Sequence, residues 1–150
     1  MLIKDVLWAS FIFPDVGEKM TRRKLRENMF RMLFRVEFHD EDEMKEQLGL
    51  FEEELEDVSE EDQAYLAART DDVLSHLKEI DDALNEKSAG WKTSRMGKVD
   101  LTILRLAVYE IRFDSDVPNK VAVNEAVELA KKYGTDDSAS FINGVLAKFL

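Results

Sequence analysis

Six basic side chains, Arg22, Arg23, Lys24, Arg26, Arg31 and Arg35, lie between Thr21 and Arg35 against the single acid Glu27, a local charge of +5. Thr21 suits a helix N-cap, which puts Arg22, Arg23 and Lys24 in the first turn. Cations there oppose the positive end of the helix dipole, at a cost of about a few tenths of a kcal/mol each. A purely structural helix would carry acids at these positions. Clustered cations beside unpaired backbone N–H groups make a seat for phosphate, so the pattern points to a polyanion docked at the helix entrance. Two other readings compete. The charge serves solubility alone, or it pairs with the segment from Glu37 to Asp62, where fourteen acids face only Lys45 for a local charge of -13. That acidic run itself reads as a solvated helix face.

Catalysis has few handholds. The only histidines, His39 and His76, fall in no nucleophile or metal spacing and read as surface residues. The pairs Asp71-Asp72 and Asp81-Asp82 are adjacent in helical stretches, where neighbours diverge by about 100° and do not converge on a cation. There is no P-loop, no dinucleotide-binding glycine pattern and no Gly-x-Ser-x-Gly elbow. Cysteine is absent, which removes thiolate chemistry and disulfides and fits a reducing compartment. The expectation is a cytoplasmic protein that is not an enzyme and carries no cofactor or metal.

With 150 residues, 45% of them hydrophobic, the chain can bury one respectable core but not two, so one domain is expected over residues 20–150. The overall charge of -11 would repel phosphate at long range, which makes the local positive block the more informative feature. Residues 1–19 read differently. Val6 to Phe13 is almost unbroken apolar sequence, far short of the roughly 20 residues that cross a bilayer, with a poor n-region and no small-x-small cleavage site. Gly17-Glu18-Lys19-Met20 can be encoded with a purine-rich ribosome-binding site just before a start codon. Residues 1–19 are therefore expected to be a non-native or disordered extension, with Met20 as the natural start.

The elements that must position the basic cluster are helices. Leu25, Met29, Met32, Leu33 and Val36, widened by Phe30 and Phe34, give the first an apolar stripe to about Phe38. Met44, Leu48, Phe51, Leu55 and Val58 mark a second, with Gly49 as a possible break. Ser59 and Asp62 resemble a capping box opening a third through Leu77, and a short fourth covers Ile80 to Glu86. Leu101, Leu104, Val108 and Ile111 predict the central helix. After Pro118, Val123, Val127, Ala130 and Tyr133 predict another, closed by Gly134 as a left-handed C-cap. Asp136 to Ser138 should cap the last, with Phe141, Ile142, Val145, Leu146 and Phe149 inward. No segment alternates with period two, so the expected fold is an all-α bundle of about six or seven helices.

Three ordered blocks carry a resemblance: Asp100 to Glu110 (DLTILRLAVYE), Val117 to Gly134 (VPNKVAVNEAVELAKKYG) and Phe141 to Leu146 (FINGVL). Together with Arg22 to Glu27 (RRKLRE) they resemble the NusB family of transcription antitermination factors, over essentially Thr21 to Leu150. Nothing before Met20 shares the likeness. The resemblance implies two packed helical subdomains that bind the boxA element of nascent RNA jointly with the ribosomal protein NusE. It also implies entry into the RNA polymerase antitermination complex, notably on ribosomal RNA operons. Arg22, Arg23, Lys24 and Arg26 match the family's arginine-rich RNA-binding helix. Asp137, Ser138 and Phe141 match the start of the last helix, where Phe141 would stack a base if exposed or anchor the core if not. Asp100 and Phe34 match positions at the NusE contact, and Phe34 lacks the hydroxyl of the tyrosine usual there. Asn143 and Gly144 are assigned structural work, the glycine allowing close helix approach. Arg105, Tyr109, Asn124 and Glu125 are assigned an internal polar network.

Homodimers occur in parts of that family, so self-association stays open. Some RNA methyltransferases carry a similar domain followed by a Rossmann domain, which this sequence lacks. A helical protein-interaction module without RNA affinity is the remaining alternative, supported mainly by the negative overall charge.

Overall fold

The computed structural model describes residues 20–55 and 58–150. Among them the chain forms seven α-helices: α1 (Arg22–Phe34), α2 (Glu41–Glu54), α3 (Glu60–Ser75), α4 (Leu77–Lys87), α5 (Lys98–Phe113), α6 (Asn119–Tyr133) and α7 (Ser138–Ala147). The fold is the compact all-α bundle that periodicity predicts. The reading of residues 1–19 as an extension lies outside the described residues.

Starts and stops follow local chemistry. The Thr21 hydroxyl accepts from the Lys24 N–H at 3.1 Å, and the Met20 N–H donates to Asp62 at 2.8 Å, tying the entrance of α1 to α3. At its other end α1 tightens into a 3₁₀ turn, Arg35–Glu37, in place of the expected continuation to Phe38. Asp40 caps α2, and Ser59 caps α3 by accepting from the Asp62 N–H at 3.3 Å, as the capping-box pattern predicts. Gly49 does not break α2: one glycine costs a helix only about 1 kcal/mol, and its surroundings are open. Leu77, expected in the third helix, belongs to α4, because α3 closes at Ser75 and His76 turns the chain.

The central helix is α5. Every residue from Leu101 to Glu110 is buried, and α1, α3, α4, α6 and α7 all pack on it. A helix buried on all sides must satisfy its polar side chains internally. Arg105 reaches Asp81 of α4 through two bonds, 2.9 and 2.8 Å, and Glu37 at 2.5 Å. The Tyr109 hydroxyl donates to Asp72 at 2.5 Å and accepts from Arg69 at 3.3 Å. Burial, followed by the Asp72 hydrogen bond, pushes that phenol up to about 12. Arg105 and Tyr109 thus each make internal polar contacts, in two separate groups rather than one network. Glu125 is paired at the surface instead, and Asn124 is simply exposed.

Three local expectations are corrected. Gly134 is not left-handed: its φ of -93° and ψ of -167° are extended. Glycine is needed there for space, since a Cβ would lie 2.5 Å from the Ser138 Cβ and 2.8 Å from the Ala130 carbonyl, in the elbow joining α6 to α7. Asp137 occupies the N-cap of α7 without a side-chain bond. Ser138 closes the elbow instead, its buried hydroxyl accepting from the Thr135 N–H at 2.9 Å. Gly144 permits no close helix approach, because it is exposed with open space where a Cβ would stand.

Candidate nucleic-acid interface

The basic cluster divides into two layers. Arg26 shares the inner face of α1 with Met29 and Leu33, one and two turns along, and is 8% exposed. Its guanidinium grips Glu110 of α5, with Nε at 3.0 Å from both carboxylate oxygens and Nη2 at 2.7 Å from one. Burial, the largest single influence, disfavours charge on Arg26, but the Glu110 hydrogen bonds and the attraction of nearby acids together exceed it and raise the guanidinium above its ordinary value. Burial also pushes the Glu110 carboxyl up, with Arg26 opposing. Arg26 therefore holds α1 to α5, which corrects its placement among surface phosphate contacts.

The outer layer is exposed. Arg23 makes a fork with Glu125 of α6, Nε to Oε2 at 3.1 Å and Nη2 to Oε1 at 3.2 Å, and that hydrogen bond raises its pKa. Lys24 stands 3.7 Å from Glu27, which also accepts from Lys132 in the last turn of α6 at 2.8 Å. Arg22 has no ion pair among the described residues and opens onto a cleft of about 170 Å³ lined also by Tyr65, Arg69 and Asp116. A second cleft lies between α1 and α6, bordered by Arg23, Glu27, Glu125, Lys131 and Lys132. Lys131 and Lys132, in the last turn of α6, were not singled out in the sequence. The long-range bond from Lys132 to Glu27 and the shared cleft bring them to the α1 surface.

The competing idea, that α1 pairs with the acidic segment, holds at one place. Arg35 reaches Glu54 of α2 at 2.9 and 3.1 Å and lies 5.4 Å over the Phe51 ring. The other paired cations of α1 turn to Glu27, Glu110 and Glu125, outside that segment.

At the other end of α1, Phe34 is half-buried, stacked on Phe30 at 6.0 Å and edge-on to Phe38 at 5.3 Å. It lines a shallow groove with Phe30, Arg31, Arg35, Val99 and Tyr133. Asp100, half-exposed, follows Val99 in the first turn of α5 and does not itself line the groove. Of the α7 candidates, Asp137 is exposed, Ser138 is buried in the elbow, and Phe141 is half-buried beneath Trp91 at 5.9 Å. Ser138 is thereby a structural residue, which corrects its expected RNA contact.

No group of three or more potential metal ligands exists among the described residues, and none of their helices is long and apolar enough to cross a membrane.

Comparison with known proteins agrees with this architecture. The NusB family model matches residues 23–150. A transcription antitermination protein NusB of Agathobacter rectalis is 58% identical over 130 residues, covering 87% of this chain and 99% of the relative. Its counterpart in Clostridium novyi is 43% identical over 132 residues, covering 87% and 98%. Among solved structures, T. maritima NusB superposes with a TM-score of 0.77 at 32% identity, over 88% of this chain and 92% of that one. A chain from a complex of the antitermination factors NusB and NusE with double-stranded RNA gives 0.74 at 26% identity, over 87% and 97%. Proteins of this family are not enzymes. With family model, close relatives and fold in agreement, the chain belongs to the NusB family of transcription antitermination proteins.

Proposed function

We propose that this protein binds boxA RNA of nascent transcripts together with the ribosomal protein NusE, and that the pair joins the RNA polymerase antitermination complex in the bacterial cytoplasm. The carrying observation is the entrance of α1. Arg22, Arg23 and Lys24 stand exposed around the start of a capped helix with no acid in its first turn, and Arg22 is unpaired among the described residues. Lys131 and Lys132 extend that surface along α6.

Glu27 and Glu125 lie among these cations, so phosphate must displace carboxylate at Arg23. An acidic protein with a half-compensated basic patch binds RNA better beside a partner that contributes cations of its own. The groove around Phe34, together with Asp100, the residue after the groove-lining Val99, is the surface we assign to NusE. A homodimer through the same basic face would compete with RNA.

Salt-dependent RNA binding tests the reading. Replacing Arg22 and Arg23 together by alanine should weaken binding of a boxA-bearing single strand. The log–log salt slope should become shallower by about 0.7 for each lost phosphate contact. A double variant with wild-type affinity and slope would reject this assignment and favour a protein-interaction module without RNA affinity.

A further inference from the structure

A second cationic segment lies apart from α1. From Ser88 to Lys98 the chain carries Lys92, Arg95 and Lys98 and no acid, in a protein whose net charge is -11. Lys92 and Arg95 are exposed and enter no ion pair among the described residues, and Lys98 sits 4.4 Å over the exposed Phe38 ring. Within this segment stands Trp91, 57% exposed.

The backbone around Trp91 is held firmly. Ala89 has a φ of 48° and Gly90 one of 93°, so a non-glycine residue occupies the left-handed region that L-residues avoid. Such a conformation persists only where its surroundings impose it, and it is a pointer to function. Here the buried Ser88 hydroxyl donates to the Trp91 carbonyl, the Trp91 N–H donates back to the Ser88 carbonyl at 3.2 Å, and Asn85 accepts from the Thr93 N–H at 2.8 Å. The indole then meets Phe141 edge to face, with 72° between the rings. Phe141 supplies the support and Trp91 the open aromatic surface.

The surroundings suit a single planar ring better than a protein's apolar face. Beside Phe141 on α7, Ser140, Asn143 and Gly144 are exposed, and nothing covers the helix backbone at Gly144. No acid occurs from Ser138 to Leu150. One flat ring among free cations and small polar groups is the chemistry that stacks an unpaired base and holds its phosphates. Along the chain the place follows the α1 surface through an elbow that carries the exposed acids Asp136 and Asp137. Glu27 bonds Lys132 in the last turn of α6, and the Gly134 elbow leads from there directly to the start of α7 and Phe141.

We propose that Trp91 is a stacking platform for an unpaired nucleobase of the bound RNA, with Lys92 and Arg95 holding the adjoining phosphates. This rests on the RNA-binding reading above, and the experiment separates the two. The full chain carries two tryptophans, Trp8 and Trp91, so Trp8→Phe leaves Trp91 as the sole indole reporter. Binding of a fluorophore-labelled, boxA-bearing single-stranded RNA is followed by anisotropy, and indole emission is recorded in a parallel titration with unlabelled RNA.

Trp91 emission should be quenched in step with RNA occupancy. Trp91→Ala should weaken binding by about 5- to 150-fold, the span for one base on one aromatic ring. Trp91→Phe should retain most of the affinity, and Lys92→Ala with Arg95→Ala should flatten the salt slope while leaving the melting temperature unchanged. RNA binding that persists unchanged in Trp91→Ala, with no quenching in the parent, overturns the platform and leaves the α1 assignment standing. Emission that responds only to added NusE assigns the ring to a protein and also overturns it. Absence of RNA binding with Trp91 intact, alone and with NusE, defeats both readings.

Discussion

Helices α1 and α2 are neighbours in sequence with opposite charge, and they are held by opposite means. α1 buries Arg26, Asn28, Met29, Phe30, Met32 and Leu33 and is tied by ion pairs to α5 and α6. α2 buries only Met44 and Phe51 along its length, leaves Leu50 44% exposed, and meets α1 through Arg35 and its 3₁₀ turn. Net charge along a segment therefore says little about what that charge does. In α1 one arginine is a structural bolt, others are half-compensated surface groups, and Arg22 and Arg31 are free among the described residues. In α2 the acids at Glu41, Asp42 and Glu43 complement the dipole at the helix start; Glu41 and Asp42 otherwise face water, and Glu43 meets the His39 ring at 2.9 Å.

The largest test of this contrast is Arg26→Ala. Removing one partner of a buried, hydrogen-bonded pair leaves Glu110 buried and unpaired, which costs about 3–5 kcal/mol. Denaturant unfolding should show that loss, and the double variant Arg26→Ala with Glu110→Ala should recover part of it as a coupling energy. Single alanines at exposed acids of α2, such as Glu46, should stay within about 0.5 kcal/mol. An Arg26→Ala protein as stable as its parent would show that the pair is not the bolt described here.

Arg35→Ala sharpens the comparison at the one link between the two helices. It removes a half-exposed pair with Glu54, worth about 0.2–1 kcal/mol, and a cation–π contact with Phe51, worth about 0.5–1 kcal/mol. The global loss should be about 1–2 kcal/mol. Hydrogen exchange should accelerate in α2 while α5 and α6 keep their protection. Equal acceleration in all helices would mean that α2 is bound as tightly as α1, and the contrast would collapse.

Much of this was legible in the residues. Helical periodicity located all seven helices, and the regular spacing of Leu101, Leu104, Val108 and Ile111 marked α5 as the central one. The inward role of Arg26 was also written in the pattern, since it precedes Met29 and Leu33 by three and seven residues, but clustering with Arg22 to Lys24 masked it. Glu110 follows Ile103 and Leu106 in the same register, so two opposite charges lay on two apolar stripes, awaiting a pairing that only the tertiary fold reveals. Gly134 illustrates a different limit. A glycine after a helix signals either a left-handed cap or a close approach, and the choice depends on Ser138 four residues later. Trp91 gave no periodic signal because it lies between helices, and its exposure follows from a turn that Ser88 and Asn85 impose.

The smallest effect concerns how α1 is held to α6. The Lys132 hydrogen bond, against a modest opposing effect of burial, holds the Glu27 carboxyl below its ordinary value. A carboxyl whose pKa is lower folded than unfolded stabilises the protein above its unfolded pKa. That contribution disappears as pH falls through the lowered folded value. Thermal melts of the parent and of Glu27→Gln should therefore differ most near neutral pH, with the parent higher. The gap should close between about pH 5 and pH 3, where carboxyls titrate. Titrations elsewhere in the molecule are common to both proteins and cancel in the difference. A gap that is constant across this range, or that widens in acid, would mean that Glu27 is not an anionic clasp between α1 and α6, and that the Arg26–Glu110 and Arg23–Glu125 pairs distinguish the fastening of α1 from that of α2.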